Sequence, residues 1–160
     1  AIIILLRKMI GQEYFFSNYK SYDSNIKTYE LILFNIYLIL NNNSSIANGI
    51  TLLTASVNNT GTITNSGSGS STLISAVVGS NVTNITENGT SSLTLSNTSN
   101  AYSGTTTITS GTLLLGAAGV IPNASAVTVN GTLDLANYSE TIGSLSGSGT
   151  IRSSTTSATP

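Results

Sequence analysis

Apolar and polar residues alternate with a period of two along much of the chain after residue 48. Leu93 and Leu95 enclose Thr94, and Val127 and Val129 enclose Thr128. Period two is typical of a β-strand with one face buried. Shorter apolar runs at 50–57, 62–64 and 73–78 extend the pattern toward the N-terminus, without helical periodicity between them. The pattern therefore predicts an all-β region of short strands, in which Asp134, between Leu133 and Leu135, points outward into solvent.

A short motif recurs along the same region. Glycine, threonine and a branched aliphatic residue stand together at 111–113, 131–133 and 149–151, at intervals of 20 and 18 residues, and an earlier copy lies at 61–63. A repeat of this length indicates a solenoid in which each unit forms one coil. Successive coils would pair in parallel about 4.8 Å apart. We therefore predict that Leu113 and Leu133 lie over one another, and that the residues after Asn48 form about five coils.

The first forty residues differ in character. The apolar run LILFNIYLIL at 31–40 is shorter than the roughly 20 residues of a membrane span. It suits the apolar part of a secretory signal, with Lys20 and Lys27 as its basic flank and 45–47 as the cleavage site. A buried or poorly packed leader, helical or not, and a membrane anchor are the alternatives. We divide the chain into an apolar leader at 1–47, coils at 48–151 and a polar tail at 152–160, after which we expect further coils.

Composition narrows the classes of function. Only 7% of the residues are charged and the net charge is −1, so no basic surface favours nucleic acid. The absence of Cys excludes disulfides and thiolate metal sites, and the absence of His excludes a Ser-His-Asp triad within the chain. Calcium-binding repeats of the Gly-Gly-x-Gly-x-Asp type are also missing. A coil surface with so few charges must be covered by the neutral side chains of Ser, Thr and Asn.

Few residues remain as candidates for chemistry. The charged residues after residue 31 are Glu87, Asp134, Glu140 and Arg152. Asp134 and Glu140 could form the carboxylate pair of a glycan-cleaving enzyme, but two separate solvated charges are favoured. Ser68 lies in a segment, 66–71, whose composition favours a flexible turn over a serine nucleophile. For Tyr102 and Tyr138 the favoured interpretation is that each closes a turn over the core edge; stacking on a sugar or peptide is the alternative. We assign no catalytic, cofactor-binding or metal-ligating residue, and we expect no cofactor.

The segments 91–116 and 125–151 together resemble the autotransporter-associated β-strand repeat, a module of bacterial autotransporter passenger domains. The resemblance rests on seven short motifs: Leu93-Thr94-Leu95, Tyr102-Ser103-Gly104, Thr106-Thr107-Ile108, Gly111-Thr112-Leu113, Val127-Thr128-Val129, Leu133-Asp134-Leu135 and Ile142-Gly143-Ser144-Leu145-Ser146-Gly147. Thr105 departs from the pattern, where a second glycine is frequent, as does the lead-in at 87–89. The segment 50–86 fits more loosely.

The resemblance implies a right-handed parallel β-helix that is exported and then displayed at the bacterial cell surface or secreted. Its partner would be its own C-terminal outer-membrane β-barrel. The function expected from this resemblance is a non-catalytic stalk or an adhesive surface of a type V secretion protein, which would contact a glycan or protein of a host or neighbouring cell. The alternative is the scaffold of a larger autotransporter enzyme, a protease, esterase or glycan-active enzyme whose catalytic domain lies outside this chain. A degenerate segment without activity is a third possibility.

Overall fold

The described part of the chain is built from β-strands joined by turns. A computed structural model describes residues 6–8, 12–14, 37–53 and 55–154. The strands are, in order, β1 (Leu6–Lys8), β2 (Gln12–Tyr14), β3 (Leu38–Leu40), β4 (Ile50–Leu52), β5 (Gly61–Asn65), β6 (Ser71–Ile74), β7 (Val82–Glu87), β8 (Ser92–Leu95), β9 (Thr106–Ile108), β10 (Thr112–Leu115), β11 (Ala126–Val129), β12 (Thr132–Asp134), β13 (Ser144–Ser146) and β14 (Thr150–Arg152).

Two parallel sheets form a stack of coils. One sheet has the order β13-β11-β9-β7-β5-β3 and the other β14-β12-β10-β8-β6-β4, so each coil contributes one strand to each sheet. The strands β1 and β2 pair separately, in antiparallel orientation. Odd and even strands therefore never pair with each other within the stack, which distinguishes it from a series of hairpins. The predicted all-β parallel β-solenoid is confirmed.

The core is a set of apolar columns that run through the stack. Leu113 pairs in register with Leu93 on one side and with Leu133 on the other, and all three side chains are at most 3% exposed. The prediction that Leu113 and Leu133 lie over one another is therefore confirmed. The opposite sheet contributes a buried column in the same way, in which Ile63 and Ile85 are followed by Thr106 and then Val127. Since a coil of about 20 residues buries few side chains alone, this stacking supplies its stability.

Side-chain amides extend the pairing between coils on a third side of the stack. Val57 and Val78 form an isolated parallel bridge there. Beyond it, Asn100 continues the ladder: its Oδ1 accepts the Val78 N–H at 2.8 Å, and its Nδ2 donates to the Val120 carbonyl at 2.9 Å. Buried backbone groups must find partners. Asn100 supplies them where no regular strand does.

The stack begins earlier than the predicted domain boundary. Strand β3, at the end of the apolar run at 31–40, pairs with β5, and Leu40 is 4% exposed. The sequence division placed these residues in the leader, because the first forty residues differ in composition from the rest and 45–47 suited a cleavage site. The remainder of the predicted leader lies outside the described residues, apart from the backbone of β1 and β2. The predicted cleavage site at 45–47 lies in the turn between β3 and β4, with its side chains exposed. No helix among the described residues has the length and apolar character needed to cross a membrane.

Candidate interaction face and buried polar groups

One outward face of the stack carries an uninterrupted column of threonines. Thr64, Thr86, Thr107 and Thr128 are paired in register on four consecutive coils. Ile39 precedes them and Ser146 follows them in the same column. Each threonine is half-buried and lies between two buried neighbours along its strand, so its side chain points outward. Neighbouring hydroxyls and methyls therefore repeat at about the strand spacing of 4.8 Å.

A second column lies beside the first, two residues earlier on each strand. It contains Thr62, Asn84, Thr105, Ala126 and Ser144. Side-chain hydrogen bonds connect its coils: Asn84 Oδ1 accepts both the backbone N–H and the hydroxyl of Thr105, at 2.9 and 3.0 Å. We call the two columns together the threonine face. Branched threonine side chains have few rotamers, so this surface is rigid as well as uncharged.

The first end of the threonine face is more apolar than its middle, and an apolar core position is exposed beside its other end. Tyr37 and Ile39, at the beginning of the stack, are 59% and 41% exposed. At the other end Leu145, between Ser144 and Ser146, occupies a core-column position, yet it is 54% exposed because no further coil covers it among the described residues. Charged residues are absent from the whole face. The surface therefore offers hydrogen-bonding groups and apolar contacts, but no charge, to whatever approaches it.

Asp134 differs from the prediction of a solvated carboxylate. It follows the buried Leu133 at an outward register position, between Leu114 and Arg152, but it is only 1% exposed. Its Oδ1 accepts the N–H groups of Ala136 and Ser154 at 3.1 and 2.9 Å, and Arg152 Nε donates to Oδ2 at 2.8 Å. The cover provided by Arg152 and the Ser154 backbone explains the burial.

These contacts set the titration of Asp134. Burial alone would raise its pKa, but hydrogen bonds from Ser154, Ala136 and Arg152 favour the ionised form and lower the pKa to about 2. Asp134 therefore stabilises the end of the stack as a charged group. A catalytic acid would need the opposite, a carboxyl that retains its proton near neutral pH.

Glu140 has a different set of partners from Asp134. Its Oε2 accepts the Val120 N–H at 3.0 Å, next to the carbonyl that Asn100 contacts. Burial raises its pKa, while backbone N–H groups oppose the shift. Asp134 and Glu140 thus accept hydrogen bonds from different backbone N–H groups, those of Ala136 and Ser154 in one case and that of Val120 in the other. The structure does not bring Asp134 and Glu140 together as a pair.

The two tyrosines are placed differently. Tyr102 is 2% exposed, and its hydroxyl lies 2.7 Å from Thr106 Oγ1, so its side chain belongs to the core. Burial raises its pKa to about 12, with a smaller contribution from the charge of Glu140, although the Thr106 and Ser125 hydroxyls act in the opposite direction. Tyr138 is 41% exposed. Ser68 lies in the connection between β5 and β6, where its N–H and hydroxyl both donate to Asn43 Oδ1.

Glu87 is the most unusual polar residue of the interior. It is 1% exposed and lies in the column that continues through Asn65 on one side and Ile108 on the other. Asn65 Nδ2 donates to its Oε2 at 2.7 Å, and the Gly89 N–H donates to its Oε1 at 2.8 Å. Burial raises the pKa of Glu87 to about 7, against the effect of these two hydrogen bonds.

The sequence contains signals for two features that were not predicted from it, the threonine column and the buried polar residues Asn65 and Glu87. The triplets 63–65, 85–87, 106–108 and 127–129 all have threonine in the middle, which marks the threonine column. Their third residues are Asn65, Glu87, Ile108 and Val129, so two polar residues occupy positions that are apolar elsewhere. Within the described ranges, no group of three or more His, Cys, Asp or Glu residues could hold a metal ion.

The fold and the face define the class of protein. The described chain is a parallel β-solenoid with a neutral, hydroxyl-rich surface. Comparison with family models, curated proteins and solved structures finds no match to this chain.

Proposed function

We propose that the chain is a non-catalytic passenger segment of an autotransporter, displayed at the bacterial cell surface or secreted, where it serves as a stalk with an adhesive face. The observation that carries the proposal is the threonine face, which runs along the whole described stack without a charged residue. The resemblance of 91–116 and 125–151 to passenger repeats supports the export route.

The stalk role follows from how the coils are joined. Each coil contacts its neighbours through two parallel strand pairs, aligned core columns and side-chain ladders such as Asn84 with Thr105. Such a stack extends in one direction and holds its outer faces rigid. The carboxylates of Asp134 and Glu140 accept hydrogen bonds from Arg152 and from the Val120 N–H, which are contacts within the stack. Their geometry therefore gives no support to catalysis by this segment.

The adhesive role follows from the chemistry of the threonine face. A partner that approaches it meets hydroxyls, one amide and threonine methyls at fixed spacing, and these groups suit hydrogen bonding to a neutral glycan or an uncharged protein surface. Rigid donors and acceptors reduce the entropy that is lost on binding.

A display experiment tests the proposal. The full chain is fused to an autotransporter translocation unit in a Gram-negative host, and antibody labelling of intact cells measures its export. Binding is then measured on beads coated with neutral glycans or with extracellular-matrix proteins. We expect labelling of intact cells and binding to at least one coating.

Matched variants identify the binding face. Thr107→Lys places a charge in the middle of the threonine face, and Thr112→Lys places the same charge on the outer face of the other sheet, at a similarly half-buried position. We expect Thr107→Lys to weaken binding about tenfold, as roughly 1.4 kcal/mol would, and Thr112→Lys to leave it unchanged. Equal loss in both variants would refute an adhesive threonine face, and failure of export would refute the passenger assignment.

A further inference from the structure

In the described part of the stack, one buried acid has no cationic partner. Glu87 is the only charged residue between Glu30 and Asp134, and it is buried. The strands packed around it, β5, β8, β9 and β10, contain no Asp, Glu, Lys, Arg, His, Tyr or Cys, and neither do the turns at 66–70, 88–91 and 109–111. A buried carboxylate without a cationic partner is costly, because burial removes its hydration.

In the observed orientation of the Asn65 amide, the neighbours of Glu87 donate hydrogen bonds to its carboxyl group and so suit the ionised form. Asn65 Nδ2 donates to Glu87 Oε2 and to Ser91 Oγ, at 2.7 and 2.9 Å, which suits a carboxylate. Asn65 Oδ1 is buried and has no hydrogen-bond partner among the described residues. If Oε2 carries a proton, it needs an acceptor at the position of Nδ2. Turning the Asn65 amide by half a rotation places Oδ1 there, where it can accept from both Glu87 and Ser91, and moves Nδ2 to the buried position that Oδ1 leaves.

We propose that Glu87 and Asn65 form a proton-operated latch between two coils, which is tight when the Glu87 carboxyl is protonated and weakened when it ionises. The latch lies in the seam between β5 and β7, one residue before the turn in which Gly89 donates to Glu87. Its state therefore bears on both the strand pairing and the adjacent turn. The proposal concerns the interior of the stack and is independent of what the threonine face binds.

The direction of the effect follows from the raised pKa of about 7, against an ordinary 4.5 in the unfolded chain. The folded state holds the proton more tightly, so its full stability is present below pH 4.5 and is lost as the pH rises through about 7. The unfolding equilibrium constant should rise by up to tenfold per pH unit in this window, and by on the order of 300-fold in total.

The test is urea unfolding of the full chain between pH 4 and pH 8, for the wild type and three variants. Glu87→Gln is neutral throughout, and we expect its unfolding constant to lack the 300-fold rise. Glu140→Gln removes a half-buried carboxyl at another corner, and we expect most of the rise to remain. Asn65→Leu/Glu87→Leu continues the apolar column of Leu40 and Ile108, so it should also lack the rise, and it decides the matter if Glu87→Gln fails to fold.

A spectroscopic measurement follows the amide directly. The side-chain amide resonances of Asn65 should shift with pH in the wild type, with the same midpoint as the stability change, and should not shift in Glu87→Gln. A wild-type stability that stays flat from pH 4 to pH 8, or a rise in Glu87→Gln as large as that of the wild type, would overturn the latch; the raised pKa of Glu140 accounts for a smaller one. An Asn65 resonance that ignores pH while stability changes would overturn the amide rotation.

Discussion

Gly111 offers a sharp test of how closely the coils pack. It begins the central Gly-Thr-Leu motif, and its φ of +66° lies in the left-handed region that favours glycine. A methyl group at Gly111 would lie 2.5 Å from the carbonyl oxygen of Gly89 and 2.6 Å from that of Ser91. These oxygens belong to the turn of the preceding coil. Gly111→Ala therefore combines backbone strain with a clash between coils.

Gly119 provides a matched control. Its φ is +67°, almost the same as that of Gly111, but a methyl group there would meet nothing within 4 Å. Gly119→Ala should cost only the left-handed penalty, about 1–2 kcal/mol. Gly111→Ala adds an overpacking cost of about 1–3 kcal/mol, since the methyl forces the coils apart. We therefore expect a total of about 2–5 kcal/mol for Gly111→Ala.

Gly131→Ala isolates the second contribution. Gly131 has no left-handed φ, but a methyl group on it would lie 2.7 Å from the carbonyl oxygen of Gly111. It should cost about 1–3 kcal/mol from the clash alone. Urea unfolding of the full chain, followed by circular dichroism, measures the free energy of unfolding of all three variants. The dependence of that free energy on urea concentration shows whether only part of the stack unfolds. If Gly111→Ala and Gly119→Ala agree within about 0.5 kcal/mol, the close approach of the coils does not limit this position.

Three further predictions concern the core and the end of the stack. Leu113→Ala should lower the free energy of unfolding in urea by about 2–5 kcal/mol, because the side chain is fully buried. Ile151 lies in the same column but is 46% exposed, so Ile151→Ala should cost less than about 1 kcal/mol. Equal costs would contradict the core column as the source of stability. Tyr102→Phe should cost about 1 kcal/mol in thermal unfolding, and a neutral result would mean that its hydroxyl contact with Thr106 adds nothing. Because the pKa of Asp134 is lowered from 3.8 to about 2, its contribution is present above pH 3.8 and is lost as the pH falls through about 2; the wild type should lose about 2 kcal/mol over this range, and Asp134→Asn should show no such step.

The repeated parts of the fold could be predicted because they repeat. Gly-Thr-aliphatic motifs and period-two alternation predicted parallel strands with Leu113 over Leu133, and the register confirms them. The first coil carries no such motif. Leu38 and Ile63, which are paired, are separated by 25 residues, and an asparagine-rich turn lies between them, so the start of the stack was placed too late.

The polar interior could not be predicted from alternation alone. Asp134 is at an outward position, and its burial depends on Arg152 and Ser154, which reach it from the next coil. Glu87 is at an inward position, where its cost is reduced by Asn65 from the preceding coil. In both cases the deciding contact joins residues about twenty positions apart. Such a contact becomes visible only when the register between coils is known.

The stacking itself explains why the surface has so few charges. A charged residue at one outward position would lie about 4.8 Å from the equivalent residue of the next coil, and like charges at that distance are destabilising. Threonine avoids this repulsion, suits a strand, and can bond from coil to coil, as Thr128 does with Ser146 at 3.0 Å. The outer face of the other sheet obeys the same constraint, with Ser92, Thr112, Thr132 and Thr150 in one column. Like charges are therefore disfavoured at equivalent positions of neighbouring coils on either outer face, whereas the opposite charges of Asp134 and Arg152 are paired. What would mark the threonine face as adhesive is a difference between the two faces, and only the comparison of Thr107→Lys with Thr112→Lys measures it.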